Sequence, residues 1–210
     1  MTRWPVIPTI FVALAVATMI GLGFWQLQRK TQNELLLQQV TANSGKPAIT
    51  YPALGPVGLQ ALHRKSAVNC LRVSEWKEDS GTDISGKTGT RYLAECVTGA
   101  EGPGALIVAG ISNRPNQKIV WNGGAVEGII TTEPDRQSMA AKLFGKSIVL
   151  RPMLVSNAGL GGLRTAEPPS LEKIKRKVSS NGFYALQWFL FATAATIIYI
   201  LALRKRAKTP

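Results

Sequence analysis

Three groups of residues in this chain have types or spacings that chemistry can use. The first is residues 81–88, Gly-Thr-Asp-Ile-Ser-Gly-Lys-Thr, which carry the letter pattern of a phosphate-binding loop. Residues 140–147 match a relaxed form of it. Holding phosphate requires a strand that feeds the loop and a helix that leaves it, so that backbone amides and the helix N-terminus face the anion. Here residues 91–98 follow the first match and read as a strand. The second match follows a helical pattern and enters a strand, which is the reverse order. No apolar strand ending in Asp is at hand to hold magnesium. The pattern therefore predicts a hairpin loop and no nucleotide.

The second group is Cys70 and Cys96, the only two cysteines. Each lies inside a run that reads as a strand. If those strands pair, the thiols meet, and in an oxidising compartment they form one structural disulfide. Two buried free thiols, or a metal or redox pair, are the other readings. Against the latter, the cysteines lack a CxxC spacing and have few further ligands nearby. His63 is the single histidine, which removes multi-histidine metal sites and most histidine-based catalysis. The carboxylates are scattered, and no serine sits in a nucleophile elbow. These residues compose no catalytic site and no metal site, and the chain is not expected to be an enzyme.

The third group sits at two edges of apolar sequence. Gly23-Phe24-Trp25-Gln26-Leu27-Gln28-Arg29 closes one apolar run, and Asn181-Gly182-Phe183-Tyr184-Ala185-Leu186-Gln187-Trp188-Phe189 opens another. Asn181, Tyr184 and Trp188 share one helix face by their i, i+3 and i, i+4 spacing. Gln187 falls about one turn inside the second run, where an amide is expected to face protein or ligand rather than lipid. Trp25, Gln26 and Arg29 on one side, with Tyr184, Gln187 and Trp188 on the other, could line a pocket at the membrane surface for a flat amphipathic ligand or a partner helix. Simple interfacial anchoring is the alternative.

The elements that must position these edges are two membrane spans. Residues 6–24 and 183–203 carry no charge, and a helix of about 17–25 apolar residues crosses a bilayer core of about 30 Å. The first run is longer than the apolar core of a secretory signal and is followed by no small-x-small cleavage site, so it reads as a retained anchor. The net charge is +13, from 25 Lys and Arg against 12 Asp and Glu. Eleven of these cations flank the spans, which points to anionic headgroups of a lipid bilayer rather than to nucleic acid. They stand in near-equal numbers on both sides, so charge alone does not orient the chain. Both termini in the cytoplasm, with the central domain periplasmic in a cell inner membrane, is the expected topology.

Between the spans, residues 29–42 continue a helix that Asn43-Ser44-Gly45-Lys46-Pro47 ends. Short β-branched or alternating runs follow at 67–75, 91–98, 105–111, 118–121, 125–131 and 147–153, with Gly- and Asn-rich turns between them. A helix is expected from Pro134 through Phe144, closed by Gly145. The fold class is therefore membrane α + β: two transmembrane helices flanking a small antiparallel β-barrel or sandwich with one or two short helices. The expected division is a 1–5 cytoplasmic start, a 6–26 span, a 27–46 helical extension, a 47–178 β-rich domain, a 179–203 span and a 204–210 basic tail.

The two edges together resemble the surfeit locus protein 1 family of assembly factors for haem–copper cytochrome c oxidase. Its first signature, Gly-x-Trp-Gln-x-x-Arg, is met by Gly23, Trp25, Gln26 and Arg29. Its second, Tyr-Ala-x-x-Trp-Phe, is met by Tyr184, Ala185, Trp188 and Phe189. The resemblance implies a non-enzymatic role in assembly of the oxidase, with the catalytic subunit and other assembly factors as partners. It also implies transient handling of haem a during delivery, with Arg29 able to pair with a propionate. A membrane-anchored scaffold or accessory subunit without haem is the alternative. Three positions depart from the family pattern: Asn181 stands where many members carry a histidine, Gln32-Asn33 where Trp-Lys is common, and Gly110-Ile111 where Gly-Trp is common.

Overall fold

The computed structural model describes residues 5–99, 104–114, 117–138, 141 and 148–208. Among them, helix α1 spans Val6–Ser44 and helix α2 spans Leu171–Lys208. Seven strands lie between: β1 Ile49–Thr50, β2 Lys65–Cys70, β3 Arg72–Thr82, β4 Thr88–Val97, β5 Ala105–Ser112, β6 Gly124–Thr132 and β7 Pro152–Ser156. The chain divides into two compact units, residues 1–37 with 172–210, and residues 38–171.

The strands form one sheet in the order β1-β2-β6-β7-β5-β4-β3. It is open, with β1 and β3 as its edges, and it is mixed: β1–β2 and β5–β7 run parallel. The expected small β domain between two long apolar helices is present, as a single mixed sheet rather than a closed barrel. The β5–β7 pair is parallel because β7 inserts between β6 and β5.

This sheet curls. Five strand steps separate β2 from β3 across it, roughly 24 Å at about 4.8 Å per step. Along the chain only Leu71 stands between them, a reach of at most about 7 Å. The run read as one strand, 67–75, is therefore two: the backbone leaves the β6 ladder at Cys70↔Gly124 and joins the β4 ladder at Arg72↔Val97. That corner brings Cys70 and Cys96 together, with their Cα atoms 5.2 Å apart and their sulfurs bonded.

Burial follows the pleat. Ala105, Ile107, Ala94, Cys96, Val126, Ile130 and Leu154 fill one face with the disulfide. Leu93, Leu106, Val108, Met153 and Val155 fill the other. All eight residues of β5 are buried, as a strand with a parallel neighbour and both faces covered requires. A bulge near its end leaves Gly110 at φ +152°, where a Cβ would lie 2.5 Å from the Arg164 carbonyl oxygen. Only glycine fits there. Residues 118–121 join no ladder; Trp121 instead packs edge-on to Trp76, with ring centroids 6.2 Å apart. The 147–153 run contributes β7 from Pro152 onward. Of the helix expected from Pro134 through Phe144, residues 134–138 are irregular, and residues 139, 140 and 142–144 lie outside the described residues.

The end of α1 is anchored in the β unit by Asn43, which is fully buried. Its Nδ2 donates to the carbonyls of Leu59 (2.7 Å) and Leu62 (3.0 Å), while its Oδ1 accepts from Gln39 Nε2 and Lys46 Nζ. All four hydrogen-bonding capacities of the amide are used.

Candidate functional site

Apolar composition makes α1 and α2 long helices, and small residues bring them together. Gly23 is buried, and Ala185 and Ala192 are 1 % and 4 % exposed. Small side chains let helix backbones approach closely where there is no hydrophobic drive between them. A Cβ on Gly23 would lie 2.7 Å from Phe189 Cε1 and Cζ, so the Phe189 ring occupies the space that glycine leaves. Phe24 meets the same ring edge-to-face, with centroids 5.5 Å apart. Two turns further along α1, the stem of Lys30 lies over Gly182, two turns earlier on α2. The antiparallel register is therefore constant through this region, and it puts Trp25 level with Gln187. At the other end of the pair, Thr9 Oγ1 and Tyr199 Oη share a hydrogen bond of 2.6 Å.

The six site residues are thus at one depth, yet they do not converge. At about 100° per residue, Trp25 sits some 200° round α1 from Gly23 and points away from α2; it is 51 % exposed. Arg29 lies on that same outward side, its guanidinium 5.9 Å from the Trp25 ring centre. Gln26 is half-buried. On α2, Ala185 is the residue turned to α1. Tyr184, about 100° away, is half exposed, and Gln187 lies about 200° round. Trp188 packs edge-on to Phe191 on its own helix. The contact described among the six is Trp25 with Arg29. Gly23 and Phe189 join the two motifs.

In the β unit, residues 81–88 form the β3–β4 hairpin, as expected. The amides that could have faced a phosphate are taken by Asp83 Oδ1, which accepts from Ser85 N, Lys87 N and Ser85 Oγ. Asp83 Oδ2 pairs with Arg164. The Ser85 hydroxyl, and then the Lys87 and Ser85 amides, hold the Asp83 carboxyl below its usual range against the opposing effect of burial. The relaxed match at 140–147 lies outside the described residues apart from Ala141. His63 sits at φ +60°, with its backbone N–H on the Ile130 carbonyl, and burial pushes its imidazole pKa down. Among the described residues no cluster of three metal-ligating side chains occurs.

The family model described as the SURF1 family matches residues 13–193, a span that contains both motifs and the whole β unit. The chain belongs to the SURF1 family. No curated protein matches it at a significant level. SURF1 proteins are cytochrome c oxidase assembly factors rather than catalysts, and oxidase assembly is the general role of this chain as a membrane protein. The family pattern gains a physical reading here: its first Gly makes room for its last Phe.

Haem a is the group that the family brings into question. Iron in haem proteins takes His, Cys, Met or Tyr. Both cysteines are joined to each other in the β unit, and the one histidine is there too. Of the six site residues only Tyr184 offers an iron donor, and Asn181 beside it offers an amide. The outward splay of Trp25 and Arg29 adds no second ligand. Tyr184 is therefore the one candidate iron ligand among these six residues.

Sequence reading missed the Gly23–Phe189 and Thr9–Tyr199 contacts. The only available signal was the shared spacing of Gly23 with Lys30 and of Gly182 with Phe189.

Proposed function

We propose that this SURF1 protein assists oxidase maturation by docking, without catalysis and without ligating haem iron, on the membrane-embedded catalytic subunit. The observation that carries this reading is the outward presentation of Trp25 and Arg29 from a helix pair already closed by Gly23 and Phe189. An exposed indole capped by a guanidinium matches the composition of interaction hot spots, in which Trp and Arg are enriched. The pair lies at the membrane edge, where a subunit under assembly can be reached. The β domain is periplasmic and both termini are cytoplasmic in the inner membrane; the Cys70–Cys96 bond supports this orientation, since such bonds persist in oxidising compartments.

The test starts from a strain lacking the chain, which should lose the a-type haem signal in reduced-minus-oxidised membrane spectra while other cytochromes remain. Trp25→Ala and Arg29→Ala should then lower assembled oxidase without lowering the level of the chain itself, and should abolish its co-purification with unassembled catalytic subunit. Normal oxidase in both variants would sink the docking assignment. Delivery of haem a is the second reading, favoured by Arg29 as a partner for a propionate and by Tyr184 as an oxygen donor. It predicts a Soret band on the purified chain that Tyr184→Phe shifts or removes. A chain that stays colourless after haem loading, yet restores oxidase, would leave docking alone.

A further inference from the structure

Six cations ring the helix pair just beyond its apolar spans: Arg29 and Lys30 on α1, and Lys173, Lys175, Arg176 and Lys177 on α2. Two ion pairs are formed among them. Glu34 lies 3.5 Å from Lys30, and Glu172 lies 2.8 Å from Lys175. Lys173, Lys175, Arg176 and Lys177 are all exposed, as is Arg29.

Their depth identifies the occupant. Arg29 lies five residues beyond Phe24, the last residue of the first apolar run, and Lys177 six residues before Phe183, the first of the second. At 1.5 Å per residue these are offsets of about 7.5 and 9 Å, against a headgroup layer about 5–7 Å thick on each side of the hydrocarbon. Helical Cα–Cβ bonds tilt toward the N-terminus, so Arg29 and Lys30 reach back to the phosphate plane. The α2 cations point outward from it but remain within about one Debye length, roughly 8 Å, of the lower ones. Stacking on Trp25, an indole at the membrane edge, holds Arg29 at that level.

We propose that these outer turns form a cationic collar that binds the headgroups of anionic phospholipids on the bilayer face carrying the β domain. Each lysine or arginine near an anionic surface contributes on the order of 1 kcal/mol, and salt together with the outward tilt of α2 reduces the sum.

The experiment is native mass spectrometry of the full chain in neutral detergent, titrated with phosphatidylglycerol or with phosphatidylcholine of the same acyl chains. Phosphatidylglycerol should bind about tenfold more tightly, and the ratio should fall toward one in the quadruple variant Lys173→Gln, Lys175→Gln, Arg176→Gln, Lys177→Gln. Glutamine keeps helix propensity close to that of lysine and arginine, and an unchanged circular dichroism melt checks the fold. A second variant, Arg204→Gln, Lys205→Gln, Arg206→Gln, removes cations from the opposite end of α2 and should keep most of the preference. Equal affinity for the two lipids in the parent chain overturns the proposal. So does loss of preference in the tail variant alone. If the quadruple variant keeps its lipid preference but no longer captures the oxidase catalytic subunit, the collar is a protein interface and the lipid assignment fails.

Discussion

The ring of Phe189 sits where the Cβ of residue 23 would be, so Gly23 and Phe189 form one contact between the two halves of the family pattern. This reverses an ordinary expectation. Replacing glycine by alanine inside a helix normally adds about 1 kcal/mol. Here the added methyl would meet ring carbons at 2.7 Å, and overpacking costs about 1–3 kcal/mol. Gly23→Ala should therefore destabilise the helix pair. In a Phe189→Ala background the same substitution should stabilise it. Unfolding of the purified chain by sodium dodecyl sulfate titration reads both signs; destabilisation in both backgrounds would mean that Phe189 is not the opposing group.

At the other end of the pair, Thr9 and Tyr199 share their 2.6 Å hydrogen bond within otherwise apolar helix surfaces. Hydrogen bonds between membrane helices average about 0.6 kcal/mol and reach about 1.7. Tyr199→Phe and Thr9→Val should each lose an amount in that range, and the double variant should lose no more than the larger single effect. Strict additivity in the same titration would show that the two hydroxyls act independently. Thr9 Oγ1 also donates its one proton to the Pro5 carbonyl at 2.7 Å, which makes Tyr199 the donor between the helices, so Thr9→Val, which removes both bonds, should lose more than Tyr199→Phe.

The helices and most strands were legible because hydrophobic period and turn residues are local properties. The two long helices, β4, β5 and β6 all fall where the sequence placed them. What escaped was non-local. Leu71 has no turn signature, yet the chain changes ladder there because the sheet curls and brings β2 beside β4. The parallel β5–β7 pairing depends on a crossover whose path no pattern encodes. The site shows the same division. Residue types at the membrane edge were readable, including Trp25, Arg29 and Tyr184. Their direction was set by the register of two helices far apart in sequence, and it turns Trp25 and Arg29 away from α2.

The Cys70–Cys96 bond closes a sequence separation of 26 residues, for which loop entropy gives about 3.5 kcal/mol of stabilisation. The paired variant Cys70→Ser, Cys96→Ser should lose about that much, seen as faster hydrogen exchange in β2 and β4 peptides while α2 peptides are unchanged. In intact cells, alkylating reagent should modify neither cysteine until the membranes are reduced and unfolded. Labelling after unfolding without reductant would place the β domain in a reducing compartment and reverse the orientation assigned above.

Acid should destabilise the β domain in two steps, and the sign follows from the partners. Burial lowers the His63 pKa below its usual value, so the unfolded chain binds that proton more readily than the folded one. Its contribution is complete above about pH 6.5 and is lost as pH falls through the folded value. Glu95 is held low by hydrogen bonds from Arg151 and then Lys77, the latter at 2.6 Å, and Asp83 by Ser85 and Lys87. Those contributions are complete above the ordinary carboxylate range near pH 4 and are lost below it. Thermal melts should therefore show a shallow fall below about pH 6.5 and a steeper one below about pH 4. His63→Asn should remove the first step without strain, since asparagine tolerates the positive φ that His63 adopts. Glu95→Gln should flatten the second step and lower the midpoint at pH 7, because Arg151 and Lys77 lose their shared carboxylate. A melting temperature that rises as pH falls from about 7 to about 5 would refute the His63 assignment, and one that rises as pH falls below about 4 would refute the carboxylate assignment.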